Sequence, residues 1–290
     1  MSLAARIAGF ATVLALVFGA AALAGSRIDA RPGENARDAA PAMGAMAANG
    51  DRHSAEGGRQ APQTVRGLAV SEGGLTLDLA RTTARPGRRT DLVLRIADRA
   101  GRTVRAFDVE HTKRMHLVVV RRDMTGFQHL HPTQRPDGAW TVPLALREAG
   151  SYRVFADFSV GGRPRTLAGD LAVDGALRSR PLAAPAPVAE TDGLRVRLDH
   201  ATPRAGAEAD LRFSVTRDGR PVVVEPYLGA RGHLVALRDG DLAFLHVHPD
   251  EDALRFMAEF PSAGRYRLFL QFKTTDGRLH TAAFTEEVTR

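Results

Sequence analysis

The chain has 290 residues, 40 basic against 33 acidic side chains for a net charge of +7, and no cysteine. That length suggests two domains with extra chain outside them, and a hydrophobic share of 44% excludes wholesale disorder. Without cysteine there is no disulfide framework, thiolate zinc site, iron–sulfur cluster, blue-copper centre or cysteine nucleophile, so chemistry falls to histidine, methionine, carboxylates and hydroxyls.

The positive charge is almost entirely arginine, with only Lys113 and Lys273 as lysines. The arginines are scattered rather than gathered on a stripe beside stacking aromatics, which argues against nucleic-acid binding. At the N-terminus Arg6 precedes an uncharged run, Ile7 to Ala24, rich in Ala, Leu, Val and Phe. It closes on Ala22-Leu23-Ala24 before Gly25, the small-x-small pattern of signal peptidase. Residues 1–24 therefore read as a cleaved signal peptide, or as an uncleaved hydrophobic helix anchored in the membrane through residues 7–24. Either reading exports the protein. Residues 25–65 are rich in Ala, Gly, Arg, Asp and Pro and show no periodicity, as expected of a disordered tether. Met43, Met46 and His53 within it read as ordinary linker residues.

The rest of the chain repeats itself. Gly74-Leu-Thr-Leu-Asp-Leu aligns with Gly193-Leu-Arg-Val-Arg-Leu, and His116-Leu-Val-Val-Val-Arg with His233-Leu-Val-Ala-Leu-Arg. Phe127-Gln-His-Leu-His-Pro then matches Phe244-Leu-His-Val-His-Pro, and Ala149-Gly-Ser-Tyr-Arg-Val-Phe matches Ala263-Gly-Arg-Tyr-Arg-Leu-Phe. The copies occupy residues 66–175 and 190–290. A semi-stiff linker over 176–189, with Pro181, Pro185 and Pro187, joins them. In the first copy, strands are predicted at Leu75–Ala80, Asp91–Ala97, Met115–Arg122, Phe127–His131, Trp140–Leu146, Tyr152–Phe158 and Leu167–Val173. Breaks rich in Gly, Pro and Asp separate them. The fold class is therefore all-β, with two tandem immunoglobulin-like β-sandwiches behind the hydrophobic helix and the tether. Tyr152 and Tyr266, each after an Ala-Gly-x turn, are placed for tyrosine corners or core anchors, and Trp140 for the core or its rim.

Six of the ten histidines form one pattern twice. His116, His129 and His131 are spaced H-x12-H-x-H-P, and His233, His246 and His248 repeat that spacing to the residue. On a strand, H-x-H puts both rings on one face. Hairpins with two-residue loops at Asp123-Met124 and Gly240-Asp241 would set His116 opposite His131 and His233 opposite His248. Three imidazoles converging in each copy suit copper or zinc, with a position left for water, methionine or carboxylate. Met115 is adjacent in the first copy, but Gly232 replaces it in the second. Glu110 is a further candidate ligand. The competing reading is structural: the same face carries Val118, Val120 and Phe127, so the rings could sit at the margin of a core. His111, His200 and His280 have no counterparts in the repeat and are expected at the surface. No G-x-S-x-G, HExxH, P-loop or dinucleotide fingerprint is present, and no general acid or base stands at a telling spacing, so no enzyme is expected.

The segments His116-Leu-Val-Val-Val-Arg-Arg-Asp, Phe127-Gln-His-Leu-His-Pro, Tyr227-Leu-Gly-Ala-Arg-Gly-His233 and Leu245-His-Val-His-Pro resemble a family of secreted or membrane-anchored actinobacterial two-repeat proteins. The domains are also loosely similar to YtkA-like and copper-resistance immunoglobulin-like modules of bacterial envelopes. The resemblance implies export, β-sandwich repeats and a connection to metal, but no reaction. The expectation is thus an exported, non-enzymatic envelope protein that binds or buffers a divalent metal, copper before zinc, through a three-His cluster in each repeat. The alternative is an envelope interaction or adhesion module with structural histidines. Expected partners are a metal ion, other envelope proteins and, through residues 7–24, the membrane.

Overall fold

The computed structural model describes residues 65–250 and 253–290, without the side chains of His246, His248 and Pro249. The expected signal or anchor segment and nearly all of the tether lie outside the described residues. Among the described residues no helix is long and apolar enough to cross a membrane.

Every regular element described is a strand. The first repeat opens with β1 (Ser71–Glu72), β2 (Leu75–Leu79), β3 (Thr83–Ala84), β4 (Arg89–Ala97) and β5 (His116–Arg121). It continues through β6 (Gln128–Leu130), β7 (Thr133–Gln134), β8 (Trp140–Ala145), β9 (Gly150–Val160) and β10 (Arg163–Val173). Two sheets, in the orders β1-β2-β4-β8-β7 and β3-β10-β9-β5-β6, face each other as an immunoglobulin-like sandwich. The second repeat runs β11 (Val188–Thr191), β12 (Leu194–Asp199), β13 (Glu208–Arg217), β14 (Arg220–Pro221), β15 (Val224–Glu225) and β16 (Gly232–Arg238). It ends with β17 (Phe244–His246), β18 (His248–Pro249), β19 (Arg255–Glu259), β20 (Gly264–Thr274) and β21 (Leu279–Val288). Its sheets are β11-β12-β13-β19-β18, with β14 on β13, and β15-β20-β16-β17, with β21 on β20.

Alternation explains most of these strands. In β12 the sequence LRVRLD buries Leu194, Val196 and Leu198 and turns the residues between them to solvent. Each sandwich encloses its own core, one built around Leu94, Ile96, Leu117, Trp140 and Val154, the other around Leu211, Phe256, Phe260, Leu268 and Phe272. Both tyrosine corners form: the Tyr152 hydroxyl donates to the Glu148 carbonyl (2.9 Å) and the Tyr266 hydroxyl to that of Ser262 (3.0 Å). Trp140 lies in the core.

The strand β5 breaks the alternation, being buried on both faces after His116. Leu117 and Val119 enter the first sandwich's core, whereas Val118 and Val120 enter a third apolar cluster with Met124, Phe155, Val235, Leu237, Phe244 and Phe269. That cluster lies between the two repeats. Phe127 stacks on Phe269 with centroids 4.0 Å apart, and Phe155 packs on Phe244 at 5.3 Å. Phe127 corresponds to Phe244 in the repeat and Phe155 to Phe269, so the two contacts are the same contact made in both directions. Gly67 threads between Phe155 and Phe244 with φ +71; a Cβ there would come within 2.8 Å of the Phe155 ring and of the Phe244 Cβ.

The hairpin loops differ from the two-residue turns expected. Arg121 N–H donates to the Thr125 carbonyl and Met124, at φ 60, closes a three-residue loop; in the second copy Arg238 and Ala243 close a four-residue loop. The cause is the aspartate in each loop. Asp123 accepts from Thr125 N–H and from both ends of the Arg121 guanidinium, and Asp241 does the same for Ala243 N–H and Arg238. Arg121 also pairs with Glu148 at 2.7 Å and donates to the Arg178 carbonyl. Asp123 accepts from Arg180 N–H at 2.9 Å. These contacts pin the inter-repeat linker to the first sandwich, and they hold the Asp123 carboxyl down at about 2 despite its burial.

Replacing Tyr152 or Tyr266 by Phe is expected to cost about 1 kcal/mol each, and Phe269→Ala about 3–4 kcal/mol through the emptied interface. Urea unfolding of the three variants checks both figures.

Candidate metal centre

At the open end of the β5–β6 hairpin, Leu117 pairs with Leu130 and Val118 with His129, the register in which His116 falls opposite His131. His129 lies in β6 and His131 just beyond it, where the chain leaves for the other sheet through β7. The three rings converge: centroids are 5.5 Å apart for His116 and His129, 4.9 Å for His116 and His131, and 4.8 Å for His129 and His131.

Hydrogen bonding selects which nitrogens meet. His116 Nε2 donates to the Glu110 carbonyl at 3.2 Å, which makes Nδ1 the acceptor nitrogen of that ring. His129 Nε2 lies 3.3 Å and His131 Nε2 3.2 Å from that Nδ1. All three ligand atoms are within 4.8 Å of one another. Imidazole nitrogens about 2.0–2.1 Å from a tetrahedral ion sit about 3.3 Å apart. The spacing therefore fits one ion among the three. A ring held by a backbone carbonyl through its other nitrogen is also how metal-binding histidines are oriented.

The carbonyl comes from a tight turn. Glu110 and Lys113 exchange both backbone hydrogen bonds, with His111 (φ 47) and Thr112 (φ 66) between them. The second repeat repeats the device: Tyr227 and Ala230 close a turn over Leu228 and Gly229, and His233 Nε2 donates to the Tyr227 carbonyl at 2.9 Å. His233 nevertheless faces the first repeat's cluster, with its ring 5.8 Å from His129 and 6.4 Å from His116. A cavity of about 50 Å³ opens there, lined by Glu110, His116, His129 and Asp157 of the first repeat and by His233 and Leu245 of the second. It has room for a few waters or a hydrated ion.

Burial and mutual repulsion keep His129, His131 and His233 neutral. Burial, then the neighbouring His116 and His233, lower His131 to about 3. Burial lowers His233 to about 4 against the pull of the Tyr227 carbonyl. His129 falls well below the ordinary histidine value for the same reasons, with the Gln271 side chain as its one opposing neighbour. His129 Nδ1 and Gln271 Oε1 are both buried and have no hydrogen-bond partner among the described residues.

The structure thus brings His116, His129 and His131 together and adds His233 from the other repeat. The side chains of His246 and His248 are outside the described set, but their backbone is not. His246 ends β17, while His248 begins β18 in the opposite sheet, paired with Met257. The chain therefore switches sheets between them, and the one-strand argument for a shared face does not apply in the second copy.

Other expectations need correction. Met115 is buried in the sandwich core, away from the cluster, because alternation turns it to the face opposite His116. His111 is beside the site, 6.3 Å from His116 and 6.2 Å from His233, rather than an isolated surface residue. His280 is fully buried between Asp192 (2.8 Å) and Thr274 (2.9 Å), and His200 is half-buried against Glu286 (3.0 Å). Asp157 and Gln271 were missed. They occupy equivalent positions in the repeat, opposite His116 and His233 in the ladders, and the signal was a polar residue inside the apolar runs Val154–Phe158 and Leu268–Phe272.

No curated protein matches the sequence. Among solved structures, the Escherichia coli adhesin FdeC is 15% identical with a TM-score of 0.27, over 77% of this chain and 66% of that one. Salmonella α2-macroglobulin is 15% identical with a TM-score of 0.28, over 79% of this chain and 15% of that one. The Yersinia pseudotuberculosis adhesin InvE is 14% identical with a TM-score of 0.24, over 76% of this chain and 60% of that one. At these scores no property of the adhesins or of the macroglobulin transfers to this chain. Each sandwich is matched separately by one family, over residues 69–175 and 189–290, and the chain belongs to that family, the domain of unknown function DUF8832.

Proposed function

We propose that this is an exported, non-enzymatic cell-envelope protein that binds or buffers a divalent metal, copper before zinc, through His116, His129 and His131. The repeated spacing alone extends the reading to a second set, His233, His246 and His248, of which the described His233 ring faces the first cluster. The observation that carries it is the meeting of His116 Nδ1 with His129 Nε2 and His131 Nε2 at 3.3 and 3.2 Å, where a single lone pair faces two further nitrogens. Three ring nitrogens at that spacing can each offer a lone pair to one cation. The all-imidazole donor set suits copper and zinc, and copper(II) stands above zinc(II) in intrinsic affinity. The role is read as binding because the sequence carries no fingerprint of a catalytic site. Export rests on the N-terminal sequence.

A second reading is favoured by one observation: His116 and His233 each tie a tight turn to their hairpin through a backbone carbonyl. An interaction module would keep histidines for that purpose alone.

Titration of the full chain with Cu(II) and Zn(II) by calorimetry is expected to show binding that weakens at least about 100-fold when His116, His129 or His131 becomes Ala. Binding unchanged in all three variants would refute the metal reading. Metal-free melting separates the second reading, since His131 makes no backbone bond in the described structure. His131→Ala should leave the metal-free melting temperature unchanged at pH 7, and a fall of several degrees would favour a structural role.

The metal-free protein should also lose stability on acidification. Below the ordinary histidine value of about 6.5 the unfolded chain takes up protons that the folded chain refuses. Stability is thus complete above that pH and declines through the window down to about 4 and then 3, the folded values of His233 and His131. Thermal melts from pH 7 to 4 should show this decline, and His129→Leu should flatten it.

A further inference from the structure

The cluster at the end of the β5–β6 hairpin is not closed by its own repeat. We propose that His233 supplies a fourth imidazole across the interface, so that one bound ion is held by both sandwiches and ties them together. This rests on the metal-binding reading of His116, His129 and His131 and adds the inter-repeat link to it.

Distance is the first support. A ligating imidazole has its ring centroid about 3.2 Å from the ion, so two rings on one ion lie about 5.2 Å apart at a tetrahedral angle and about 6.4 Å apart in line. The three rings of the first repeat, at 4.8–5.5 Å, stand close to the tetrahedral figure. His233 is 5.8 Å from His129, between the two figures, and 6.4 Å from His116, at the in-line figure, so ligation requires its ring to move toward the cluster.

The available nitrogen is the second support. With Nε2 committed to the Tyr227 carbonyl, His233 keeps its lone pair on Nδ1, the same tautomer as His116. The Tyr227 ring packs 5.7 Å from His233 and 6.4 Å from His131, walling one side of the gap.

The cavity is the third. It is bounded by His116, His129 and Asp157 on one side and by His233 on the other, so an ion in it contacts both repeats. Asp157, buried opposite His116 in the β5–β9 ladder, sets a carboxylate at its wall to offset the cation. Across the interface Gln271 lies against His129, and the two buried orphan atoms become a donor and an acceptor once His129 carries its proton on Nδ1 and offers Nε2 to the ion.

The test uses the full chain with His246→Ala and His248→Ala, which removes the second copy's other two histidines and leaves the four in question. One equivalent of Cu(II) is added. Nitrogen superhyperfine splitting in electron paramagnetic resonance should report four imidazoles, falling to three when His233→Ala is added. Competition with a chelator should show Cu(II) held at least about 10-fold less tightly. A merely structural role for His233 would not change the nitrogen count. If the double replacement does not fold, the same two measurements on the unaltered chain and on His233→Ala alone decide the matter for the tightest Cu(II). An unchanged count with affinity within twofold overturns the shared site and leaves the three-His reading intact. Absence of any Cu(II) binding that depends on His116, His129 and His131 overturns both.

Discussion

The packing of the β5–β9 sheet of the first repeat against the β16–β20 sheet of the second is the constraint on which the rest of the molecule depends. The outer face of an antiparallel sheet is commonly wet. Here it carries Val118, Val120 and Phe155 in one copy and Val235, Leu237 and Phe269 in the other, and the faces cover each other. Phe127 on Phe269 and Phe244 on Phe155 repeat the same contact in opposite directions, giving the interface an approximate twofold character. The linker is held by the same region, with Arg121, Asp123 and Glu148 gripping residues 178 and 180 and Leu182 packed against the apolar cluster.

That packing gives the histidines their properties. On an isolated sandwich His116 and His129 would stand at a wet sheet edge. Against the second repeat His129 is desolvated, and the neighbouring rings repel any added proton. Neutral imidazole is the form that would ligate the proposed metal, and burial keeps His129 and His131 in that form. The arrangement carries a local cost, since a buried polar atom without a partner destabilises by about 1–3 kcal/mol and two such atoms, on His129 and Gln271, lie side by side. Local rules are broken in this way where a site is built into a fold.

The fold was legible because its information is local. Alternation in Leu75–Leu79 and Leu194–Asp199, turn residues between strands, and repetition of whole segments suffice to identify two sandwiches. The loops were misread by one or two residues because Asp123 and Asp241 bind arginines of the preceding strand, and a side-chain contact of that kind can outweigh the preference for two-residue turns. His280 and His200 were misplaced for a different reason: their partners, Asp192 and Glu286, are 88 and 86 residues away. Met115 was set aside on the sequence evidence of Gly232, and its burial in the opposite core agrees with strand parity.

The sequence by itself determined the all-β repeats, the tyrosine corners, and the grouping of His116, His129 and His131 at one end of one hairpin. Each of these follows from period-two geometry and from residues within a few dozen positions of one another. Only the tertiary structure decided what lies over that hairpin. It placed His233, Gln271 and Tyr227 against the first repeat's cluster, turned a sheet face into an interface, and put Asp157 at the wall of a shared cavity. Strand parity fixes which face a residue occupies, but whether that face meets water or another domain depends on how two folded sandwiches dock.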